Sequence, residues 1–340
     1  MLSNPKQVLI RTTAFQGYGS GHLKRSILLT NKINETYGNE VNVIIAIEGD
    51  IKSIDIIIKS NIKYIALPIG VNLKEELEAF PKNINIIILD VFDRNNTNEK
   101  TYKNIADYLV VFSDMGEASP YSDILICPQL LPEEIQKNHE DQIVLEGPDF
   151  FIFNDRYLES AKNKIFNEEN YNIFVCLGGY SDDKALSDIC VALSKNINII
   201  SEIIFITGYN CSININTIIK NNNNKIKIFE YCDDPLKYLS QADFAIISGG
   251  HIKYEAAALG VPSIIIGLVE HQNILSAIFE KTGVCIYLGL ANSISHQDIL
   301  DGVDKLTLNH NRLKSMGESS VNVVDGLGAT RVVNSIFSFY

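Results

Sequence analysis

The chain has 340 residues, of which 46% are hydrophobic and 21% charged, so it is long enough for two hydrophobic cores, and two domains are expected. The formal net charge of −12, without a stripe of Lys and Arg, argues against nucleic-acid binding. The N-terminus lacks the layout of a secretion signal, and no apolar run approaches the roughly 20 residues that span a bilayer. A cytoplasmic protein with no nucleic-acid partner and no integral membrane segment is therefore predicted.

Short runs rich in Ile and Val alternate with segments of helical period, which is typical of parallel strands connected by helices. In the first half, strands are predicted at 7–11, 41–47, 64–67, 84–89, 108–112 and 124–126, with helices beginning near His22, Ile51, Lys74 and Asn98. In the second half, strands are predicted at 172–177, 203–207, 226–229, 244–247 and 262–266, again with helices between them. The pattern indicates α/β layering twice.

The boundary between the two sets of strands is expected within 145–170. This stretch carries Gly147-Pro148, then an aromatic cluster, then a charged segment of helical character. We place the boundary near residue 165, so that 1–165 is an N-terminal domain and 166–328 a C-terminal domain.

The first candidate site is the run Gly17-Tyr18-Gly19-Ser20-Gly21-His22, which follows the first predicted strand. The spacing does not fit the dinucleotide fingerprint G-x-G-x-x-G, so a Rossmann dehydrogenase is disfavoured. His22 lies where a helix begins, and the helix dipole there favours a neutral imidazole that can accept a proton. It is a candidate general base, or else a residue that caps or packs against the helix. Arg25 either directs its guanidinium toward a phosphate or sugar, or is a surface arginine.

Parallel sheets bind ligands beyond the carboxyl ends of their strands, and three more segments have that position, at 90–94, 178–183 and 248–255. Asp90 follows the apolar run at 86–89, where it either binds a substrate hydroxyl or holds a neighbouring loop. Gly178 and Gly179 follow the first strand of the second half. They either cradle a diphosphate or make an ordinary tight turn.

The segment from Ser248 to Glu255 is a further nucleotide-site candidate. Gly249 and Gly250, followed by His251, offer bare N–H groups for phosphate where a helix begins, and Glu255 can accept hydrogen bonds from ribose hydroxyls. Its alternative is a helix with a surface glutamate. Beyond the next strand lie polar side chains expected to contact sugar or nucleotide, namely Gln272 and Asn273.

Metal and triad chemistry are not supported by the sequence. The six cysteines form no C-x-x-C pair and are expected to be core residues. His22, His251 and His271 lie in different loops without an acidic cluster of fixed spacing, so no metal and no cofactor are predicted. A Ser-His-Asp triad is disfavoured because no G-x-S-x-G elbow is present.

Taken together, these motifs resemble the UDP-sugar hydrolases of pseudaminic acid biosynthesis, with spore-coat polysaccharide proteins and, more distantly, the glycosyltransferase that makes lipid II as relatives. The resemblance extends over nearly the whole chain. The motifs that carry it are Arg11, Gly19-Ser20-Gly21-His22 with Arg25, Asp90, Gly178-Gly179, Ser248-Gly249-Gly250 with Glu255-Ala256, and 324–331. Two positions depart from the family pattern, because Phe92 stands where a tyrosine is usual and Thr13 where an aspartate is usual.

The resemblance implies a GT-B fold, in which two Rossmann-like domains with parallel sheets face a central cleft and a final helix, 329–340, crosses back to the first domain. It implies metal-independent hydrolysis of a UDP-linked diacetamido-trideoxy sugar, with water attacking the anomeric carbon. His22 would be the base, Asp90 is counted with it as a catalytic residue, and Gly249, Gly250 and Glu255 would bind UDP.

Further roles are assigned to residues around these motifs. Nucleotide or phosphate contacts are expected from Gly178, Gly179, Ser248 and His251, and sugar contacts from Gly19, Gly21, Arg25, Gln272 and Asn273. A monomer is expected. Two alternatives remain: a glycosyltransferase that uses the same base to activate an acceptor hydroxyl, and a nucleotide-sugar-binding protein without turnover.

Overall fold

The computed structural model describes residues 5–15, 20–92, 94, 96–162, 164–179, 182–219, 225–232 and 234–338. Two compact units divide the chain, unit 1 formed by Met1–Phe153 with Leu327–Tyr340, and unit 2 by Asn154–Gly326. Each unit contains one parallel sheet, which confirms the predicted α/β class with two parallel-sheet domains.

Unit 1 is built on a seven-stranded sheet with the order β3-β2-β1-β4-β5-β6-β7. Its strands are β1 (Lys6–Ala14), β2 (Val41–Gly49), β3 (Tyr64–Leu67), β4 (Ile84–Asp90), β5 (Ala106–Phe112), β6 (Ile124–Cys127) and β7 (Ile143–Glu146). The helices before the chain leaves this unit are α1 (Gly21–Tyr37), α2 (Ile51–Lys59), α3 (Leu73–Ala79) and α4 (Asn96–Ile105).

The two faces of β4 explain where its last residue points. Ile86 and Ile88 pack into the core that includes Leu23 and Leu29 of α1, whereas Ile87 and Leu89 pack into the core on the opposite face. Because side chains alternate along a strand, Asp90 continues the face that α1 covers.

Unit 2 is built on a six-stranded sheet with the order β10-β9-β8-β11-β12-β13. Its strands are β8 (Tyr171–Cys176), β9 (Ile200–Ile206), β10 (Ile226–Phe229), β11 (Phe244–Ser248), β12 (Ser263–Gly267) and β13 (Cys285–Leu290). Its helices are α5 (Leu158–Lys162), α6 (Asp183–Lys195), α7 (Ile215–Ile218), α8 (Leu236–Leu239), α9 (Ile252–Ala258), α10 (Glu270–Glu280), α11 (His296–Thr307) and α12 (His310–Val323).

The last helix, α13 (Gly328–Phe337), belongs to unit 1, where Val332 and Ile336 are buried in the same core as α1. A Cβ on Gly328 would lie 2.2 Å from the Phe151 carbonyl oxygen, so the start of α13 requires a glycine. The chain first leaves unit 1 after Phe153, earlier than the boundary near 165 that composition indicates. The difference arises because Ile152 is buried in the unit 1 core, whereas Lys164 donates hydrogen bonds to carbonyls of unit 2.

Candidate active site and nucleotide loop

His22 is the second residue of α1. The preceding glycines at 17 and 19 lie outside the described residues, so the predicted sugar contact at Gly19 stays a prediction. Gly21 is the exposed first residue of the helix. The apolar side chains of α1 at Leu23 and Leu29 anchor it on the sheet and thereby hold His22 near the carboxyl end of β4.

A buried carboxylate contacts the His22 ring. The Nδ1 atom of His22 lies 2.6 Å from Oδ1 of Asp90, and Asp90 is only 1% exposed. A carboxylate can only accept at this distance, so Nδ1 carries the proton and donates it. In that tautomer Nε2 has the free lone pair, and it can take a proton from a substrate or water.

Arg25, one turn further along α1, fixes the position of Asp90. Its Nε donates to Asp90 Oδ2 at 2.8 Å and one terminal nitrogen donates to Oδ1 at 2.5 Å. The other terminal nitrogen donates to Asp114 Oδ1 at 2.6 Å, and the guanidinium carbon lies 4.5 Å from the centre of the Phe112 ring. The same guanidinium lies 3.1 Å from His22 Nδ1, but this contact is not a hydrogen bond because both nitrogens are donors.

Both predictions for Arg25, a contact with phosphate or sugar and a position on the surface, are wrong. The side chain is 6% exposed and engaged by two carboxylates, so it is neither a surface arginine nor directed toward a phosphate or sugar. It is a positioning residue for Asp90. Asp90 likewise binds His22 and Arg25. Because only 1% of its surface is exposed, it is not accessible to a substrate hydroxyl.

The charges of the network support one another. Burial by itself raises the pKa of Asp90, but the Arg25 guanidinium, with His22, outweighs burial and lowers that pKa below its usual range. Burial opposes the charge of Arg25, whereas Asp114 and then Asp90 raise its pKa. Both groups are therefore ionised at neutral pH, and the carboxylate can stabilise the imidazolium formed when Nε2 accepts a proton.

The two departures from the family pattern lie close to this network. Phe92 is 62% exposed, and its ring stands edge-on to the His22 ring with centroids 6.3 Å apart. The Phe92 N–H lies 3.5 Å from Oγ1 of Thr13, at the limit for a hydrogen bond. The imidazole is thus bordered by an apolar ring, at the position where the sequence resemblance led us to expect a tyrosine.

In unit 2, the residues 248–250 form a turn between β11 and α9. The Gly249 N–H donates to the Ile266 carbonyl at 3.2 Å, so it is not bare as the sequence suggested. A Cβ on Gly249 would lie 2.4 Å from Ser276 Oγ, which shows how closely this turn packs on α10. Within the described part of the chain, the Gly250 N–H donates to no residue and is the free donor of the turn.

The neighbours of this turn are polar. His251 is the N-cap residue of α9, and Glu255 follows one turn into the helix. Gln272 accepts from the Leu268 N–H through Oε1, and its Nε2 lies 3.9 Å from where a Gly250 Cβ would be. Asn273 is engaged by Glu270 and by the Tyr287 hydroxyl, at 2.9 and 2.7 Å.

Gly178 and Gly179 are less suited to bind phosphate than Gly249 and Gly250. Gly178 has a φ of +129°, and the Gly179 carbonyl accepts from the Tyr209 N–H at 2.9 Å. At the start of α6, the Asp182 side chain accepts from the Ala185 N–H at 2.9 Å, and Asp183 binds Ser212. Two carboxylates at this helix start repel an anion, which favours the tight-turn reading. Tyr180 and Ser181 lie outside the described residues.

Asp114 binds Arg25 in this network and was not among the residues predicted from the sequence. It follows β5 by two residues, and β5 pairs with β4, so the rule that singled out Asp90 applies equally to Asp114.

Among the residues placed by the structure, no cluster of three or more His, Cys, Asp or Glu could hold a metal ion. None of the described helices is both long and apolar enough to cross a membrane.

Comparison with known protein families gives a match in unit 2. Residues 172–329 fit the model of the Glycosyltransferase family 28 C-terminal domain. The chain is 25% identical over 272 residues to the spore coat polysaccharide biosynthesis protein SpsG of Bacillus subtilis, covering 77% of this chain and 79% of that protein. It is 28% identical over 216 residues to the UDP-N-acetylglucosamine--N-acetylmuramyl-(pentapeptide) pyrophosphoryl-undecaprenol N-acetylglucosamine transferase of Caldicellulosiruptor saccharolyticus, covering 59% of this chain and 56% of the transferase.

Solved structures share the fold over almost the whole chain. Acinetobacter baumannii MurG has a TM-score of 0.68 at 13% identity and covers 98% of this chain and 99% of its own. The UDP-GlcNAc 2-epimerase from Neisseria meningitidis, bound to UDP-GlcNAc, has a TM-score of 0.64 at 13% identity, covering 97% and 99%. The protein therefore has the GT-B fold that the sequence resemblance implied, and its residues 172–329 match the family 28 C-terminal domain.

Proposed function

We propose that the protein is a nucleotide-sugar hydrolase that releases UDP and a free sugar from a UDP-linked diacetamido-trideoxy sugar, for pseudaminic-type nonulosonic acid biosynthesis. The observation that carries the proposal is the 2.6 Å contact between His22 Nδ1 and the buried Asp90 carboxylate. It leaves Nε2 free to act as a general base. The sugar itself rests on the sequence resemblance.

In the proposed reaction, His22 Nε2 takes a proton from water while the water oxygen forms a bond to the anomeric carbon. The bond from that carbon to the β-phosphate oxygen breaks, and UDP leaves with its electron pair. Asp90 stabilises the imidazolium, and Arg25 keeps Asp90 in place. Asp90 is buried, so it does not contact the attacking water directly.

Unit 2 is assigned to the nucleotide. We assign the diphosphate to the Gly250 N–H, with Gly249 allowing close approach and Ser248 and His251 flanking it. Glu255 is assigned to the ribose hydroxyls, and the Nε2 amide of Gln272 to a nearby oxygen of the ligand. The fit of unit 2 to the family 28 C-terminal domain supports this division.

A glycosyltransferase is the second candidate, and the matches to a family 28 domain and to an N-acetylglucosamine transferase favour it. The same imidazole would then take its proton from an acceptor hydroxyl, and the bonds at the anomeric carbon would change in the same way. The two candidates differ only in the attacking oxygen.

UDP release from candidate UDP-sugars, measured with and without an added acceptor, separates these candidates. Hydrolysis predicts stoichiometric UDP and free sugar without any acceptor. UDP release that requires an acceptor would decide for the transferase, and binding of UDP without turnover in either assay would leave only a binding protein.

A further inference from the structure

Lys253, the second residue of α9, is buried completely. Its Nζ donates to the Gly249 carbonyl oxygen at 2.8 Å, and it lies 5.2 and 5.9 Å from the ring centres of Tyr254 and Phe279. Burying an ammonium group is unfavourable unless it is compensated, and here one carbonyl and two aromatic faces provide the compensation. An apolar side chain of similar length would fill this space without the cost.

The geometry of one peptide bond links Lys253 to the proposed nucleotide site. The Gly249 carbonyl and the Gly250 N–H belong to the same trans peptide, so they point in opposite directions. Because the carbonyl is held inward by Lys253, the Gly250 N–H is directed away from it, and this N–H is the free donor of the turn. The ammonium therefore determines where the donor points.

A second observation at this turn also indicates a ligand. Ser276 on α10 is fully buried, and its Oγ has no hydrogen-bond partner among the described residues. That oxygen borders Gly249, since a Cβ there would lie 2.4 Å from it. A buried hydroxyl without a partner is costly, and a polar ligand at the turn would satisfy it.

The titratable groups that face Lys253 come from three elements. Burial lowers the pKa of Lys253 to about 8, and Cys285 of β13 partly opposes this effect. Burial, and then the charge of Lys253, lower the pKa of His271 on α10, while Tyr254 adjoins it on α9. Lys253 is thus charged at neutral pH and loses its proton in mildly alkaline solution.

We propose that Lys253 is a positioning residue whose ammonium holds the Gly249–Gly250 peptide in the orientation that binds diphosphate, so that nucleotide affinity depends on its protonation. This inference rests on the proposed nucleotide site of unit 2. It adds to that site a residue that itself touches no ligand, together with a response to pH.

Calorimetric binding of UDP between pH 6.5 and 9, measured on the wild type and two variants of Lys253, tests the inference. Wild-type affinity should fall as pH rises through 8, by up to about tenfold at pH 9, because the protonated fraction falls tenfold for each pH unit beyond the pKa. Lys253→Met should bind UDP about tenfold more weakly at pH 7, with no further fall at pH 9, and should unfold at the same temperature or higher. Lys253→Arg should keep the affinity and lose the alkaline fall, since arginine stays charged.

Lys164 offers a matched control in the same unit. Burial lowers its pKa to about 8 as well, but its Nζ donates to the carbonyls of Ser240 and Ala242. Lys164→Met should therefore leave the UDP dissociation constant and its pH profile unchanged. A Lys164 variant that reproduced the Lys253 effect would show that loss of any buried ammonium is sufficient, and the inference would fail.

Other outcomes separate this inference from the function itself. A folded Lys253→Met protein that binds UDP like wild type across the pH range overturns the role of Lys253 and leaves the proposed function intact. If the methionine variant does not fold, an arginine variant that retains the wild-type alkaline fall overturns it. A wild-type protein that binds UDP at no pH overturns both.

Discussion

At the level of single residues, the proposed role of His22 depends on Asp90, a buried carboxylate that orients His22 and pairs with Arg25. The sequence indicates the position of Asp90, because an acidic residue directly follows an apolar strand. It does not indicate the partners, since nothing local distinguishes a buried Arg25 from an arginine in solvent. Only the packing of α1 on β4 brings the three side chains together.

Replacing Asp90 with asparagine should leave the fold intact but disturb the proton on His22. The amide can donate to Nδ1 and stabilise the wrong tautomer, so turnover should fall by about 10²- to 10⁴-fold. The dissociation constant of UDP should change little, because the proposed nucleotide contacts lie in unit 2. Steady-state kinetics with calorimetry measures both, and wild-type turnover in Asp90→Asn would contradict the role.

The same variant should reveal a pH-dependent contribution of Asp90 to stability. Its pKa is lower in the folded protein than the usual 3.8, so its contribution is complete above that value and is lost as pH falls through the folded pKa. At pH 7 the asparagine variant should be less stable by about 2–3 kcal/mol, since Arg25 loses one of its charged partners. Urea unfolding should show this gap narrowing below pH 4, and a gap that stayed constant would argue against it.

At the element scale, alternation along the strands and the start of each helix determine which side chains meet. The predicted strands of both halves are present, since short runs rich in Ile and Val between segments of helical period are typical of parallel strands. Two strands were not predicted, β7 and β13. The first is a four-residue edge strand, and the second contains Gly289 at a φ of +111°, so neither gives a strong local pattern.

The turn at 248–250 gives a prediction about packing between elements. Gly249→Ala places a methyl group 2.4 Å from Ser276 Oγ and 3.0 Å from Gln272 Cβ, so the turn must shift from α10. We expect a stability loss of about 1–3 kcal/mol and UDP binding weakened by about tenfold or more. Adding Ser276→Ala should restore part of the stability, because it removes the oxygen that the methyl group meets.

Gly302→Ala in α11 is the control for this substitution. Its added methyl would make ordinary contacts of 3.4 to 3.7 Å with Ile264 and Leu288, and alanine is the better helix former. Stability should stay the same or rise, with UDP affinity unchanged. If Gly302→Ala and Gly249→Ala lost stability and UDP affinity equally, close packing of the turn at 248–250 would not explain the effect of Gly249→Ala.

At the scale of the whole molecule, two parallel sheets with separate cores carry different chemistry, a histidine–aspartate pair in unit 1 and a polar turn in unit 2. Alternating strands and helices predicted this double architecture. The helix α13 belongs to unit 1 because Val332 and Ile336 are buried in its core and Gly328 lies close to Phe151. These contacts join residues far apart in the sequence, so composition alone does not predict them. The sequence resemblance supplied that expectation instead.

Ligand linkage gives a prediction that distinguishes the units. UDP at 100 times its dissociation constant should raise the opening free energy of unit 2 by about 2.7 kcal/mol, because it binds only the folded unit. Amide hydrogen exchange should therefore slow in β11 and β12 of unit 2. If hydrogen exchange slowed only in unit 1, the assignment of the nucleotide to unit 2 would be wrong.

The turnover and UDP affinity of His22→Ala, compared with His296→Ala as a control histidine in unit 2, test whether His22 is the general base. We expect His22→Ala to bind UDP within about twofold of wild type while acceptor-free UDP release falls by about 10²- to 10⁴-fold, as for the loss of a general base. His296→Ala should match wild type in both. Turnover near the wild-type rate in folded His22→Ala would contradict the assignment of His22 as the base.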